Sequence, residues 1–355
     1  CNSLGDSLII YKGGAIIVTD ISLRVINIMY LRRTYLPFAL APLVILLFFL
    51  ISPPRLFAAT TYTVTNNNDS GAGSLRQAIA DSNSNAGADQ IDFAISGAGP
   101  HTIVLTTGGI TITDQVKVNG LSQSGSICNG TSSTLKVVIE GAGIGVDGAG
   151  ANGTEINGLV FGAGTAVGIS SSSNIIRCNF FGTTADGSMG VGDINSQSLV
   201  IYNNYAVIGG NSSSDMNLFG RYRFIIAGSS NHIIKNNLIG TDITGMNSLG
   251  SNLSFYSGVY NNITISHNVI SKIGSYYSTF NNFTLSANKI GTNFSGTAAI
   301  FGDVGTLLSA KTEFNNSTIG GATEADGNLI SGAVIVDTNE WGHGIVIGGT
   351  NNTIQ

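Results

Sequence analysis

Along most of the chain, apolar residues come in short bursts and not in stripes of helical period. Ile263-Thr264-Ile265 and Phe283-Thr284-Leu285 alternate apolar with polar residues, which predicts half-buried strands whose every second side chain turns inward. Each burst belongs to a loose unit that recurs beyond residue 150. Aligned on one asparagine, the unit reads SNIIRCNFFG over Ser173–Gly182, NHIIKNNLIG over Asn231–Gly240, NNITISHNVIS over Asn261–Ser271 and NNFTLSANKIG over Asn281–Gly291. The aligned residues are Asn179, Asn237, Asn268 and Asn288. Asn157 in INGLVFG and Asn328 in GNLISG extend the series. Successive gaps are 22, 58, 31, 20 and 40 residues, several of them near one or two times twenty.

Such a unit is shorter than ankyrin, tetratricopeptide or propeller repeats, which take about 33 residues or more. It fits one coil of a β-helix or a short leucine-rich repeat, and the missing Leu-x-x-Leu-x-Leu framework favours the β-helix. Inward Ile, Val, Leu and Phe would stack on their counterparts in neighbouring coils, so stability comes from stacking and not from any coil alone. The recurring asparagine is expected to form an amide ladder at a turn, and the glycine after the apolar pair to supply the positive φ of a sharp corner. Residues 183–230 and 246–260 look irregular and are read as longer loops.

Two segments precede this array. In residues 60–100, Tyr62–Thr65 and Ile91–Ile95 read as strands, and Ser74 as the N-cap of a short amphipathic helix over Leu75–Ser82. That stretch is expected to cap the array, whose coils then run over 101–355. Further upstream, Arg32-Arg33 precede the apolar run Leu36–Ile51, with Ala58-Ala59 after it, which predicts a secretory signal peptide over 29–59. The cleavage site is imperfect, with Leu56 or Phe57 at −3. A membrane anchor is disfavoured, because the run is shorter than about 20 residues and holds Pro37 and Pro42. The first methionine is Met29, so residues 1–28 are expected to be non-native upstream sequence or disordered. The chain ends inside a repeat at Asn351-Asn352-Thr353-Ile354-Gln355, and the native protein is expected to continue, so a C-terminal anchor is left open.

Composition narrows the picture. Only 10% of the 355 residues are charged and 48 are glycine, which excludes coiled coils and helical bundles. Five prolines and the lack of a glycine period exclude collagen. Removing residues 1–59 takes away Lys12, Arg24, Arg32, Arg33 and Arg55, with Asp6 and Asp20. Ten basic and eighteen acidic residues remain, a net charge of −8, which argues against a nucleic-acid partner. The mature part has two cysteines, Cys128 and Cys178. Export permits a disulfide between them, and two buried thiols fit equally well.

An ordered set of phrases points to a family. Gly73–Ile79 (GSLRQAI), Ile112–Gly120 (ITDQVKVNG), Val138–Gly141 (VIEG) and Ile156–Phe161 (INGLVF) are followed by Ile239–Gly245, Ile319–Thr323 and Gly327–Gly332. Together they resemble exported bacterial right-handed parallel β-helix proteins of the pectin-lyase-like superfamily, those with a Ser-Leu-Arg-Glu-Ala type N-terminal segment. The resemblance covers about residues 60–355. It implies an all-β fold, a right-handed parallel β-helix solenoid with a short capping strand and helix, and a secreted or cell-surface location. Sugar-active members of that superfamily place acids, often with Arg or Lys, on one sheet face.

Candidate chemistry is thin. Asp303 and Asp326, and Glu313 and Asp337, are separated by roughly one coil and are the weak catalytic candidates for a two- or three-carboxylate site. Arg221 and Arg223 could receive an acidic sugar. Tyr276, Tyr277, Tyr256, Tyr260, Tyr202, Tyr205 and Trp341 could offer stacking faces. Gly143-Ile-Gly145-Val-Asp-Gly148 matches a dinucleotide fingerprint but lacks a following helix, and half-matches a calcium nonapeptide in one copy where tandem copies are needed. No cofactor or metal site is expected, calcium being the sole ion left open. His101, His232, His267 and His343 share no ligand spacing and read as surface or turn residues. Asn-x-Ser/Thr triplets such as those at Asn129, Asn262 and Asn282 follow from composition. Few charges and no acid cluster favour a non-catalytic adhesin or stalk that binds glycans or surfaces. A polysaccharide lyase or glycoside hydrolase is the alternative.

Overall fold

The computed structural model describes residues 2–4, 7–12, 15–19, 59–275, 277–300, 312–331 and 348–355. The chain divides into two units, 1–56 and 57–355. In the first, Asn2–Leu4, Ser7–Lys12 and Ala15–Thr19 form a three-stranded antiparallel sheet. The expected signal segment lies outside the described residues except for Ala59.

In the second unit the chain is a parallel β-helix. Coil after coil passes through a seven-stranded sheet (first strand Ile110–Ile112, last Ile273–Ser275), an eleven-stranded sheet (Thr61–Val64 to Thr353–Ile354) and a nine-stranded sheet (His101–Leu105 to Leu329–Ile330). From Gly258 a fourth strand enters each coil and builds a four-stranded sheet, Gly258–Asn261, Ser278–Asn281, Glu313–Asn315 and Gly348–Thr350. Every strand pair in these four sheets is parallel; two examples are Ile234 beside Ile265 and Ile265 beside Leu285. The one α-helix among the described residues, α1 (Leu75–Ser84), starts at Ser74, whose side chain accepts from the Gln77 N–H at 3.2 Å. Its Leu75, Ala78 and Ile79 join the core and cap the first coil.

Alternation explains the core. Inward positions hold Ile, Val, Leu and Phe, with stacked rings from Phe161 to Phe181 (4.9 Å), Phe219 (4.6 Å) and Phe224 (4.7 Å) running along the axis. The middle of the nine-stranded sheet is apolar on both faces, since its strands Phe180–Phe181, Leu218–Phe219, Leu238–Ile239 and Val269–Ile270 are apolar doublets. Phe181, Phe219 and Ile239 point into the core. Phe180, Leu218 and Leu238 point outward into a second cluster with Val160, Ile243, Val269 and Ile300. Tongues closed by the bridges Thr183–Gly190, Thr241–Ser248 and Thr292–Ala299 cover that outer face and stack on one another through Ile243 N–H to Gly187 O and Phe294 N–H to Gly245 O.

Residues 183–230 are thus not merely loop. Beyond the first tongue they hold a full coil, Ser198–Ile201, Val207–Gly209 and Leu218–Phe219. The expected ladder is present between the eleven- and nine-stranded sheets, with one member gained and one lost. Asn179, Asn217, Asn237, Asn268, Asn288 and Asn328 stack in that order, each passing its backbone N–H to the next Oδ1 at 2.9–3.2 Å. Asn157 is not in it. Val160 pairs with Phe180, so Leu159 occupies the ladder position, and the Leu159 N–H takes the Asn179 Oδ1 at 3.1 Å. Asn157 stands two residues earlier and donates to Glu155 Oε1.

The sharp corners are also less dependent on glycine than expected. Gly182, Gly240 and Gly291 do have positive φ, but Cys178, Asn236, His267 and Ala287, each just before a ladder asparagine, are left-handed too. Cys178 forms a disulfide with Cys128, with Cα atoms 6.1 Å apart, fastening the 127–134 loop beside the start of the ladder.

Candidate functional site

The outer face of the seven-stranded sheet gathers the features a ligand would use. Because Ile144, Val146, Val167, Ile169, Leu199, Ile201, Phe224 and Ile226 face the core, the residues between them face outward. Along the axis that outward row reads Thr111, Gly145, Gly168, Val200, Ile225, Ser254 and Gly274. Three of the seven are glycines in mid-strand. None has positive φ, and an added Cβ would meet nothing closer than 3.7 Å at Gly145, 4.0 Å at Gly168 and 3.6 Å at Gly274. Glycine weakens a strand interior, so the backbone here tolerates side chains that the sequence withholds. The result is a floor that is low at Gly145 and Gly168 and again at Gly274, with Val200, the buried Ile225 and Ser254 between them.

One margin of that floor carries Arg223 and, two coils on, Lys272. The other carries Tyr202 (54% exposed) and, two coils on, Tyr256 (46% exposed), each just past the end of its strand. Coils rise by about 4.8 Å, so each pair spans about 10 Å. The Tyr202 ring edge leans back over Gly168.

The other candidates scatter. Arg221 and Arg223 flank Tyr222, which is buried and donates its hydroxyl to Thr165 O at 2.7 Å; Arg221 itself packs along Gly190. Tyr260 is buried between Phe255 and Phe280 and is not a stacking face. Tyr205 stands exposed at the corner before the eleven-stranded sheet, and Tyr277 at the edge of the four-stranded sheet. Glu313 is exposed on the four-stranded sheet. Asp326 is a turn cap on another side, accepting from Thr323 N (3.1 Å) and Oγ1 (2.7 Å), and the Thr323 hydroxyl holds its carboxyl below the usual range. These two acids therefore do not meet. Asp303, Asp337, Tyr276, Trp341 and His343 lie outside the described residues.

Two further charge features are structural in character. On the eleven-stranded sheet, Arg177 bridges Glu155 at 2.8 Å and Asp215 at 3.6 Å. Burial pushes the Glu155 carboxyl up, and the Arg177 guanidinium together with the Asn157 amide and Lys117 outweighs it, leaving Glu155 below its ordinary value. His232 is fully buried, contrary to the surface reading. Its Nδ1 accepts the Ala206 N–H at 3.1 Å and its Nε2 meets Ser229 Oγ at 2.8 Å; burial lowers its pKa to about 4. The fingerprint-like glycines form strand Ile144–Val146 and a single 3-10 turn, with Asp147 capping Gly148 N–H. Among the described residues no three His, Cys, Asp or Glu side chains gather as metal ligands. No described helix is long and apolar enough to cross a membrane.

Fold and face together define a parallel β-helix solenoid with a glycine-floored outer face between aromatic and basic margins. No protein-family model matches the chain, and no curated protein is similar to it.

Proposed function

We propose that the chain is an exported bacterial β-helix protein of the pectin-lyase-like type, an adhesin or surface stalk, that holds a glycan on the outer face of the seven-stranded sheet without cleaving it. The observation that carries this reading is the trio Gly145, Gly168 and Gly274, strand positions emptied of side chains that the backbone would accommodate. Tyr202 and Tyr256 supply stacking faces, and Arg223 and Lys272 favour a carboxylate-bearing polysaccharide. The Cys128–Cys178 bond fits an oxidising compartment.

The test is retention of the protein on a panel of immobilised plant and bacterial polysaccharides, acidic and neutral, with released reducing ends scored in parallel. Retention on an acidic member is expected, lost in Gly168→Thr and in the Tyr202→Ala/Tyr256→Ala double variant, both with unchanged circular dichroism. Retention that ignores these changes moves the site elsewhere. Reducing ends released by pure protein make it a lyase or hydrolase.

A further inference from the structure

The corner that leads into the eleven-stranded sheet carries a second feature, independent of the glycine-floored face. Seven residues stack there in successive coils, Ser173, Tyr205, Asn231, Asn262, Asn282, Asn316 and Asn351, all left-handed with φ between 52° and 65°. In the last four coils the residue two places on is Thr264, Thr284, Thr318 or Thr353, and these threonines pair in register. Asn-x-Thr therefore recurs in four consecutive coils at one place in the fold. Between each pair, Ile263, Phe283 and Ser317 are buried and Asn352 is half-buried, whereas the four asparagines are exposed; Thr264, Thr284 and Thr318 are half-buried and Thr353 is exposed.

The fold does not demand this tripeptide. The three preceding coils fill the same two positions with Ser173 and Ile175, Tyr205 and Val207, and Asn231 and Ile233, at the same φ and in the same register. A corner that accepts Ser or Tyr and a strand position that accepts Ile or Val carry Asn with Thr four times running. Composition alone does not put them in register.

We propose that Asn262, Asn282, Asn316 and Asn351 form a ridge of acceptor sites for N-linked glycosylation, for which Asn-x-Thr is the recognised tripeptide in exported chains. In the transfer, a bond forms between the asparagine Nδ2 and the anomeric carbon of a phosphate-activated sugar donor. The bond from that carbon to the phosphate oxygen breaks, and the amide proton leaves to the released phosphate. The substituted amide keeps one N–H, enough for the contacts seen along the corner, Asn262 to Asn231 Oδ1 (2.8 Å), Asn282 to Asn262 Oδ1 (3.0 Å) and Asn351 to Asn316 Oδ1 (3.3 Å). Neighbours stand only about 4.8 Å apart, so sugars would occupy alternate coils.

The experiment is peptide mass spectrometry of the protein secreted by its own producing cell. Sugar-sized mass increments are expected on the ridge asparagines, with no peptide spanning Asn262 and Asn282 carrying two. Thr284→Val should abolish the increment at Asn282 and leave the circular dichroism unchanged, because Val207 already occupies the equivalent place. Four unmodified asparagines would overturn the proposal. So would an increment at Asn282 that survives Thr284→Val, or equal modification of the off-ridge triplets at Asn129 and Asn211.

Discussion

Replacing Asn237 by alanine removes the middle of the amide ladder. In the native coil its Nδ2 donates to Ile208 O at 3.0 Å and to Asn268 Oδ1 at 3.0 Å, and its Oδ1 accepts Asn217 N–H at 3.2 Å and Asn217 Nδ2 at 2.9 Å. Three of these partners have somewhere else to turn. Asn217 Nδ2 keeps Ile176 O, Asn268 Oδ1 keeps the backbone N–H of residue 237, and the Ile208 carbonyl stays in the parallel ladder beside Ile234. The Asn217 N–H does not, and is left buried without the side-chain oxygen that met it. An unsatisfied buried group costs about 1–3 kcal/mol, so Asn237→Ala should destabilise by about 1–3 kcal/mol. Asn157→Ala, outside the ladder, should cost under about 1 kcal/mol because its amide meets only the half-buried Glu155 carboxylate. A repeat array need not unfold in one step, so amide hydrogen exchange resolved by coil is the suitable assay. Protection should fall most at Ile208, Asn217 and Ile234. A loss at Asn237→Ala no larger than at Asn157→Ala would refute the view that the ladder, and not the apolar stack, sets coil stability at this edge.

Two other measurements bear on the scaffold. Burial keeps His232 neutral, with a pKa of about 4 against about 6.5 unfolded, so the unfolded chain binds the extra proton between those values. Stability should be full above about pH 6.5 and fall as pH drops towards 4, by up to about 3 kcal/mol; His232→Gln should flatten the dependence of Tm on pH between 7.5 and 5, and an unchanged slope would exclude His232 as its source. Reducing the Cys128–Cys178 bond, which closes a 50-residue separation, should lower stability by about 2–4 kcal/mol and expose the 127–134 loop to protease; equal melting curves with and without reductant would contradict this.

The repeat architecture was legible because inward and outward residues obey period two and an asparagine at a buried turn can both donate and accept along the stack. Ile263-Thr264-Ile265 declared its own strand. The hidden coil at Asn217 escaped because its signature, Met216-Asn217-Leu218-Phe219-Gly220, sits 38 residues from Asn179 behind a tongue, and no fixed period finds it. Asn157 misled because Asn-Gly before an apolar run looks like a ladder corner, and only strand register separates Asn157 from Leu159. The candidate face was not legible at all. Gly145 stood out only within a fingerprint-like run of glycines, and a glycine's significance in mid-strand depends on whether space exists for a side chain, which is a property of neighbouring coils. His232 was misplaced for a similar reason, since its partner Ala206 comes from the previous coil.

The hydrogen bonds of the amide ladder link residues 38, 20, 31, 20 and 40 positions apart, yet their lengths differ by only 0.3 Å. Pitch is thus decoupled from contour length. Evolution can lengthen the chain between rungs, as the tongues and the added fourth strand show, without retuning the axis, and can delete or duplicate whole rungs as units. The constraint therefore falls on the rungs, and the length and content of the chain between them is left free.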